Sequence, residues 1–191
     1  MDKFNVDQKG HHLILGRTTD YITGETIADT YDERIRQKIA VFMVEKLGYF
    51  KKDLMTKVRH DMNCGDLRGY SITDIVVNIK QRTVMIIKYG PGSLVTRERP
   101  ALAAARTIVP SYTVPIAVVT NGLDAEILDV QSGKPISTGL DEIPSRKTLL
   151  SKFDDLNFTA LPEKQLEAEK RILMAYDGIE HSCQYTENRC A

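Results

Sequence analysis

Two apolar, β-branched segments joined by a short polar link constrain this chain more than any other feature. Ser71-Ile72-Thr73-Asp74-Ile75-Val76-Val77 and Val84-Met85-Ile86-Ile87-Lys88-Tyr89 each read as a strand, and Lys80-Gln81-Arg82 reads as the turn between them. A three-residue turn sets Asp74 directly opposite Lys88, and residues opposite one another in an antiparallel pair share a face. Ile86 joins that face through the two-residue period of a strand. Slipping the register by one residue would part Asp74 from Lys88.

The rest of the chain supplies a core for such a hairpin. Its 191 residues are enough for one domain, and 42% hydrophobic with 27% charged residues is an ordinary globular composition. Lys+Arg and Asp+Glu both total 26, so a nucleic-acid partner would need a local basic patch rather than a global field. No run approaches the ~18 apolar residues of a membrane span, and the first residues lack the pattern of a signal peptide. Cys64, Cys183 and Cys190 stand at unrelated spacings, which predicts reduced thiols in a cytoplasmic protein.

Local signals place the other elements. His12 to Leu15 predicts a short strand, and Thr23-Gly24 a turn. Thr30 predicts a helix N-cap, with Glu33 completing a capping box, ahead of a helix over residues 31–47 that Gly48 ends. Ile35, Ile39, Phe42, Met43 and Leu47 form its apolar stripe. Val58 to His60 predicts a strand. A helix is expected over residues 97–109, with Pro100 tolerated in its first turn and its alanines packed close to a sheet. Pro115 to Thr120, wholly apolar, predicts a doubly buried strand. Asn121-Gly122 predicts a hairpin whose return strand covers residues 125–130, and Ser132-Gly133 a further turn. Residues 145–153 and 162–177 read as closing helices. This order predicts an α/β domain with a central mixed β-sheet flanked by helices. Residues 1–28 would form an N-terminal arm, 29–160 the core, and 161–191 a C-terminal helix and tail.

An ordered set of motifs resembles one family. Asp20-Tyr21-Ile22-Thr23-Gly24-Glu25, Asp29-Thr30, Glu33-Arg34-Ile35-Arg36-Gln37 and Val44-Glu45-Lys46-Leu47-Gly48-Tyr49 are similar to the opening of the N-terminal domain of type I restriction enzyme R subunits. Asp74-Ile75-Val76-Val77, Pro91-Gly92, Thr120-Asn121-Gly122-Leu123 and Arg171-Ile172-Leu173-Met174-Ala175 continue the likeness, which spans residues 20–178. The resemblance is to a short standalone form, without the helicase motor of full R subunits. It implies a restriction-endonuclease-like core of the PD-(D/E)xK type. In that core an Asp on one strand and Glu-x-Lys on the next hold Mg²⁺ and orient the attacking water. The chemistry is general, since carboxylate-held Mg²⁺ neutralises charge developing on a phosphodiester and a lysine supports it.

This chain departs from the family's Glu-Cys-Lys followed by Ala-Pro-Gly. Anchoring on Lys88 puts Ile86 in the Glu slot, while anchoring on Pro91-Gly92 puts Ile87 there and Tyr89 in the Lys slot. Neither choice supplies the acid. A Gln and a Tyr that support the family's site on the next helix are replaced within Leu102-Ala103-Ala104-Ala105-Arg106.

Each candidate has two readings. Asp74 is a metal ligand or an acid capping backbone donors. Lys88 is a phosphate contact or a snorkelling strand-end lysine. Glu98, Glu33 and Glu45 are replacement acids, or a helix-dipole partner for Glu33 and a solvated face for Glu45. Lys51, Lys52, Arg97 and Arg99, with Arg146 and Lys147, form a DNA patch or stay solvated. His60, Asp61, Cys64, His181 and Cys183 lack the close spacing of a zinc site. The expectation is a domain that has lost most or all cleavage, needs no cofactor, and binds DNA or a protein partner. The rivals are an active Mg²⁺-dependent endonuclease with a relocated acid, and a structural homodimer with no nucleic-acid role.

Overall fold

The computed structural model describes residues 13–64 and 67–177. A two-stranded ribbon, β1 (Gly16–Thr19) and β2 (Thr26–Asp29), leads into helix α1 (Tyr31–Glu45). Then come β3 (Leu54–Cys64), β4 (Leu67–Ile79), β5 (Arg82–Tyr89), α2 (Val95–Thr107), β6 (Ile116–Thr120), β7 (Ala125–Asp129) and β8 (Lys134–Thr138). Helices α3 (Arg146–Ser151) and α4 (Glu163–Asp177) follow. Six strands form one mixed sheet in chain order from β3 to β8. Only the β5–β6 pair is parallel, and α2 makes the crossover that a parallel pair requires. The α/β architecture with a mixed sheet flanked by helices is the one expected.

Each face of the sheet has its own core. Ile39, Ala40 and Met43 of α1 pack on Ile75, Val77, Met85, Ile87, Val118 and Ile127. On the opposite face, Ala101 to Ala105 of α2 and Leu173 of α4 pack on Val76, Ile86, Ala117, Val119 and Leu128. Both faces of β5 and β6 are therefore covered, which is why these strands read as continuous apolar runs.

Several local expectations are corrected. Residues 13–15 are not strand, and the first strand starts at Gly16; His12 lies outside the described residues. The strand expected over residues 58–60 extends from Leu54 to Cys64, since its alternating polar residues face water at an edge position. Thr30 accepts the Glu33 amide at 3.1 Å, as an N-cap does, but the Glu33 carboxylate turns to Arg36, Gln37 and Lys57 and makes no capping box. Pro100 sits beyond the first turn of α2, inside the helix. The Asn121-Gly122 hairpin has a four-residue link, with Thr120 paired to Ala125 and Asn121 Oδ1 accepting the amides of Leu123 and Asp124.

The β4–β5 turn has two residues, Lys80 and Gln81, both at positive φ. A register shift between Val77 and Asn78 adds the third residue back, so Ile75 still opposes Ile87. Continuing that register brings Asp74 level with Lys88.

Gly122 has φ +85, and a Cβ built there would lie 2.5 Å from Ile35 Cγ2. At Gly90 a Cβ would meet only the guanidinium end of Arg97, also at 2.5 Å. Gly122→Ala is therefore expected to cost about 1–3 kcal/mol, combining left-handed backbone with overpacking. Gly90→Ala should cost clearly less, because a flexible side-chain end can move. Urea unfolding of the two variants checks the order.

Candidate functional site

Being level on paired strands does not put Asp74 and Lys88 on one face. The β3–β4 ladder pairs Thr56 with Ile75 and Val58 with Thr73, and skips Lys57 and Asp74. Lys57 has φ +52, left-handed backbone that a regular strand does not adopt. At this break Asp74 turns toward α1. Its Oδ1 accepts from Arg36 Nε at 2.8 Å, and its Oδ2 accepts the backbone amide of Tyr89 at 2.7 Å. Lys88 points the other way, toward α4, where its ammonium pairs with Asp177 and donates to Ser71 Oγ at 3.1 Å. Ser71 itself donates to Asp177 at 2.8 Å.

The side chains that share the α1 face with Asp74 are Ile87, fully buried in the core there, and Tyr89, packed against it. Ile86 lies in the opposite core with Val76. The geometry thus matches the alignment anchored on Pro91-Gly92, with Ile87 and Tyr89 beside Asp74. Burial and the neighbouring Asp32 carboxylate, which accepts from the Tyr89 hydroxyl at 3.2 Å, push the phenol up to about 12. Tyr89 is therefore protonated at neutral pH and cannot take the charged part of a lysine.

Arg36 is the centre of the site. Its Nη1 donates to Glu33 Oε2 at 2.6 Å while its Nε holds Asp74. Lys57 joins the same Glu33 oxygen. Gln37 donates to Glu33 Oε1 at 2.8 Å and to Asp20 Oδ2 at 3.0 Å, and its own carbonyl accepts the Tyr21 amide at 2.7 Å. Asp20 Oδ1 accepts the amides of Ile22 and Thr23, each at 2.8 Å. Burial disfavours the Asp20 carboxylate, but the bonds from Thr23, Gln37 and Ile22 outweigh it and bring its pKa down. Burial likewise opposes the Arg36 charge, and Asp74 and Glu33 outweigh it, so Arg36 stays cationic. The run Glu33-Arg34-Ile35-Arg36-Gln37 puts Glu33, Arg36 and Gln37 on one helical face by its three- and four-residue spacings.

These residues do not fit Mg²⁺. Both oxygens of Asp74 and both of Glu33 already accept from the protein, and Ile87 offers no donor. The charge is also already met by Arg36 and Lys57. A doubly charged ion about 4 Å from the Arg36 guanidinium would be repelled by roughly 8 kcal/mol at an effective dielectric near 20. Among the described residues no group of three or more His, Cys, Asp or Glu is arranged to hold a metal. His181 and Cys183 lie outside the described residues.

The other candidates are dispersed. Glu98 on α2 neighbours Glu126 of β7, whose carboxyl pKa is raised by burial and by Glu98. Glu45 is exposed and accepts the Tyr21 hydroxyl at 2.5 Å. Arg97 donates to the Pro91 carbonyl at 3.3 Å, and Arg99 pairs with Glu169 at 2.7 Å, so neither extends the site. Lys51 lies over the Tyr21 ring at 3.9 Å and Lys52 over the Phe50 ring at 5.5 Å. Sequence reasoning missed Arg36 and Lys57 as parts of the site. The Glu33–Arg36 spacing was the one available signal, and it does not reach across to Asp74.

His60 supplies a pH-sensitive group on the α4 side. Burial, then the nearby Lys88 charge, holds its pKa below the ordinary 6.5, and its buried Nδ1 has no hydrogen-bond partner among the described residues. The unfolded chain takes up the proton first as pH falls through 6.5, so folding stability declines from there down to the lowered pKa. His60→Gln should flatten that decline below pH 6.5, measured by urea midpoints. Arg36→Met, which takes the counter-charge from Asp74 and leaves Glu33 to Lys57 and Gln37, should cost about 3–5 kcal/mol. A cycle with Asp74→Asn should show coupling of about 1–3 kcal/mol by chemical denaturation, because the two side chains share one network.

The pattern of the type I restriction enzyme R protein N terminus (HSDR_N) matches residues 31–144, which include α1, the β4–β5 pair, α2 and the β6–β7 hairpin. No curated protein matches the chain. No solved structure matches it.

Proposed function

We propose that this chain, which belongs to the family of type I restriction enzyme R protein N-termini, is a nuclease-like domain that does not cut and instead binds nucleic acid or a protein partner in a restriction setting. One observation carries the reading. The Asp74 carboxylate is spent on Arg36 and on the Tyr89 amide, with Ile87 beside it where the family has its acid. Hydrolysis of a phosphodiester needs charge neutralisation and an activated water. An internal arginine neutralises the carboxylates themselves and leaves nothing to polarise a phosphate. The sheet, both cores and the helices that frame the site are retained, so a binding role survives the loss of the cation.

A second reading has one supporting feature. Glu33 and Asp74 are bound to the same guanidinium, so Glu33 is the acid placed to serve as a relocated ligand if Arg36 swings away. Such a swing would leave the buried Asp74 carboxylate without its counter-charge, which is costly.

Incubation with supercoiled plasmid and Mg²⁺ or Mn²⁺ separates the two. The expected result is no nicking or linearisation above that of an Asp74→Ala control. Cutting by the native chain that is abolished in Asp74→Ala would establish an active endonuclease instead.

A further inference from the structure

The two lysine-rich pairs that the sequence separates by almost a hundred positions meet at one end of the molecule. Arg146 at the start of α3 donates its backbone amide to the Leu47 carbonyl at 3.0 Å, which ties α3 to the end of α1. Its guanidinium bonds Asp53 at 2.7 Å and lies over the Phe50 ring at 4.2 Å. Lys52 approaches the same ring. Phe50 nevertheless keeps 52% of its surface exposed. Lys46, Lys51, Lys52 and Lys147 are exposed around it or on the adjoining turn, and none has an ion pair among the described residues. An open hollow lined by Leu47, Gly48, Arg146, Lys147, Leu150 and Ser151 adjoins them. Two acids close by in the chain have partners, Asp53 in Arg146 and Glu45 in the Tyr21 hydroxyl.

We propose that this surface, formed by Lys46, Lys51, Lys52, Arg146 and Lys147 around Phe50, binds the backbone of single-stranded nucleic acid, with an unpaired base stacking at Phe50. The proposal rests on the binding half of the function inferred above and names where that binding occurs. Lysines without ion pairs among the described residues supply the phosphate contacts that release counterions, Lys51 doing so in place of the Tyr21 carbonyl to which it donates. An exposed aromatic ring among them is of little use to a duplex, whose bases are stacked internally, but a splayed base can stack on the part of the ring that Arg146 and Lys52 leave exposed. An acidic protein segment would use the lysines and leave the ring idle. The surface lies at the far end of α1 from Glu33 and Arg36, and Lys51 meets their network at the Tyr21 carbonyl.

Fluorescence anisotropy in EDTA tests this without interference from cleavage. The probes are labelled oligothymidylate and oligouridylate of about twenty nucleotides, the length needed to cover more than one site of a small domain, and a duplex of equal length. The native chain is expected to bind the single strands more tightly than the duplex and to weaken as salt rises from about 50 to 200 mM. The two single strands distinguish DNA from RNA as the source of the backbone. Lys51→Ala/Lys52→Ala should weaken binding at least tenfold and make the salt slope shallower by about 1.4, the share of two single-strand contacts. Phe50→Ala should weaken single-strand binding about tenfold and leave duplex binding unchanged. Lys134→Ala, on the exposed edge strand β8, is the control and should bind like the native chain. Melting curves show that the variants remain folded; Lys147→Ala gives a second lysine test if the double variant is not.

No binding to any probe at low salt would overturn the proposal while leaving a non-cutting, protein-binding domain intact. Binding that is indifferent to the lysine variants would place the nucleic acid elsewhere and also overturn it. Lysine effects without a Phe50 effect, or equal loss on the duplex, would remove the single-strand assignment.

Discussion

One buried guanidinium ties the first helix to the sheet. Arg36 extends from α1 to Asp74 on β4 and holds Glu33 with its other arm, and only 14% of its side chain is exposed. Such an arrangement is costly to assemble, since each ion loses water, and costlier to break, since a lone partner is then left without water or counter-charge. Several polar groups around it are drawn into the same network. Gln37 links Glu33 to Asp20, Asp20 caps the turn between β1 and β2, and the Tyr89 amide fixes the second oxygen of Asp74. The N-terminal ribbon, α1 and the central strands are thus oriented by a single set of charges on top of an apolar core.

The same network is the basis of the proposed loss of cutting. Two carboxylates brought together between a helix and a sheet, Glu33 of α1 and Asp74 of β4, are the raw material of a cation site. Here a permanent side-chain cation lies between them, and a fully buried Ile87 fills the adjoining position. An arginine is never deprotonated in proteins and its fork of donors matches carboxylate oxygens, so it is a stable substitute for the structural role of a metal. It cannot be a substitute for the catalytic role, which needs an open coordination position and a bound water.

Much of the fold was legible in the residues themselves. Thr30 marked the start of α1, Ser145 that of α3, and the alanines of α2 its close packing on the sheet. The register of β4 on β5 was legible as well, although a two-residue turn with a bulge produces it rather than three turn residues. Lys80 and Gln81 carry none of the Asn or Gly signal usual for two left-handed residues, so the turn type was not readable. The facing of Asp74 was hidden for the same kind of reason. It depends on left-handed backbone at Lys57, a residue with no propensity for it, in the neighbouring strand. Strict alternation then puts Asp74 beside Lys88 and Ile86, whereas the break in the ladder puts it beside Ile87 and Tyr89. The Arg36–Asp74 contact joins residues far apart in sequence, and nothing local to either announces it.

The claim that an arginine occupies the place of a cation is tested most directly by crystals grown in Mn²⁺ and measured for anomalous scattering. The account predicts no manganese peak beside Asp74, with Arg36 still bonded to Asp74 and Glu33. A peak bridging those two carboxylates, with the Arg36 side chain displaced, would contradict it.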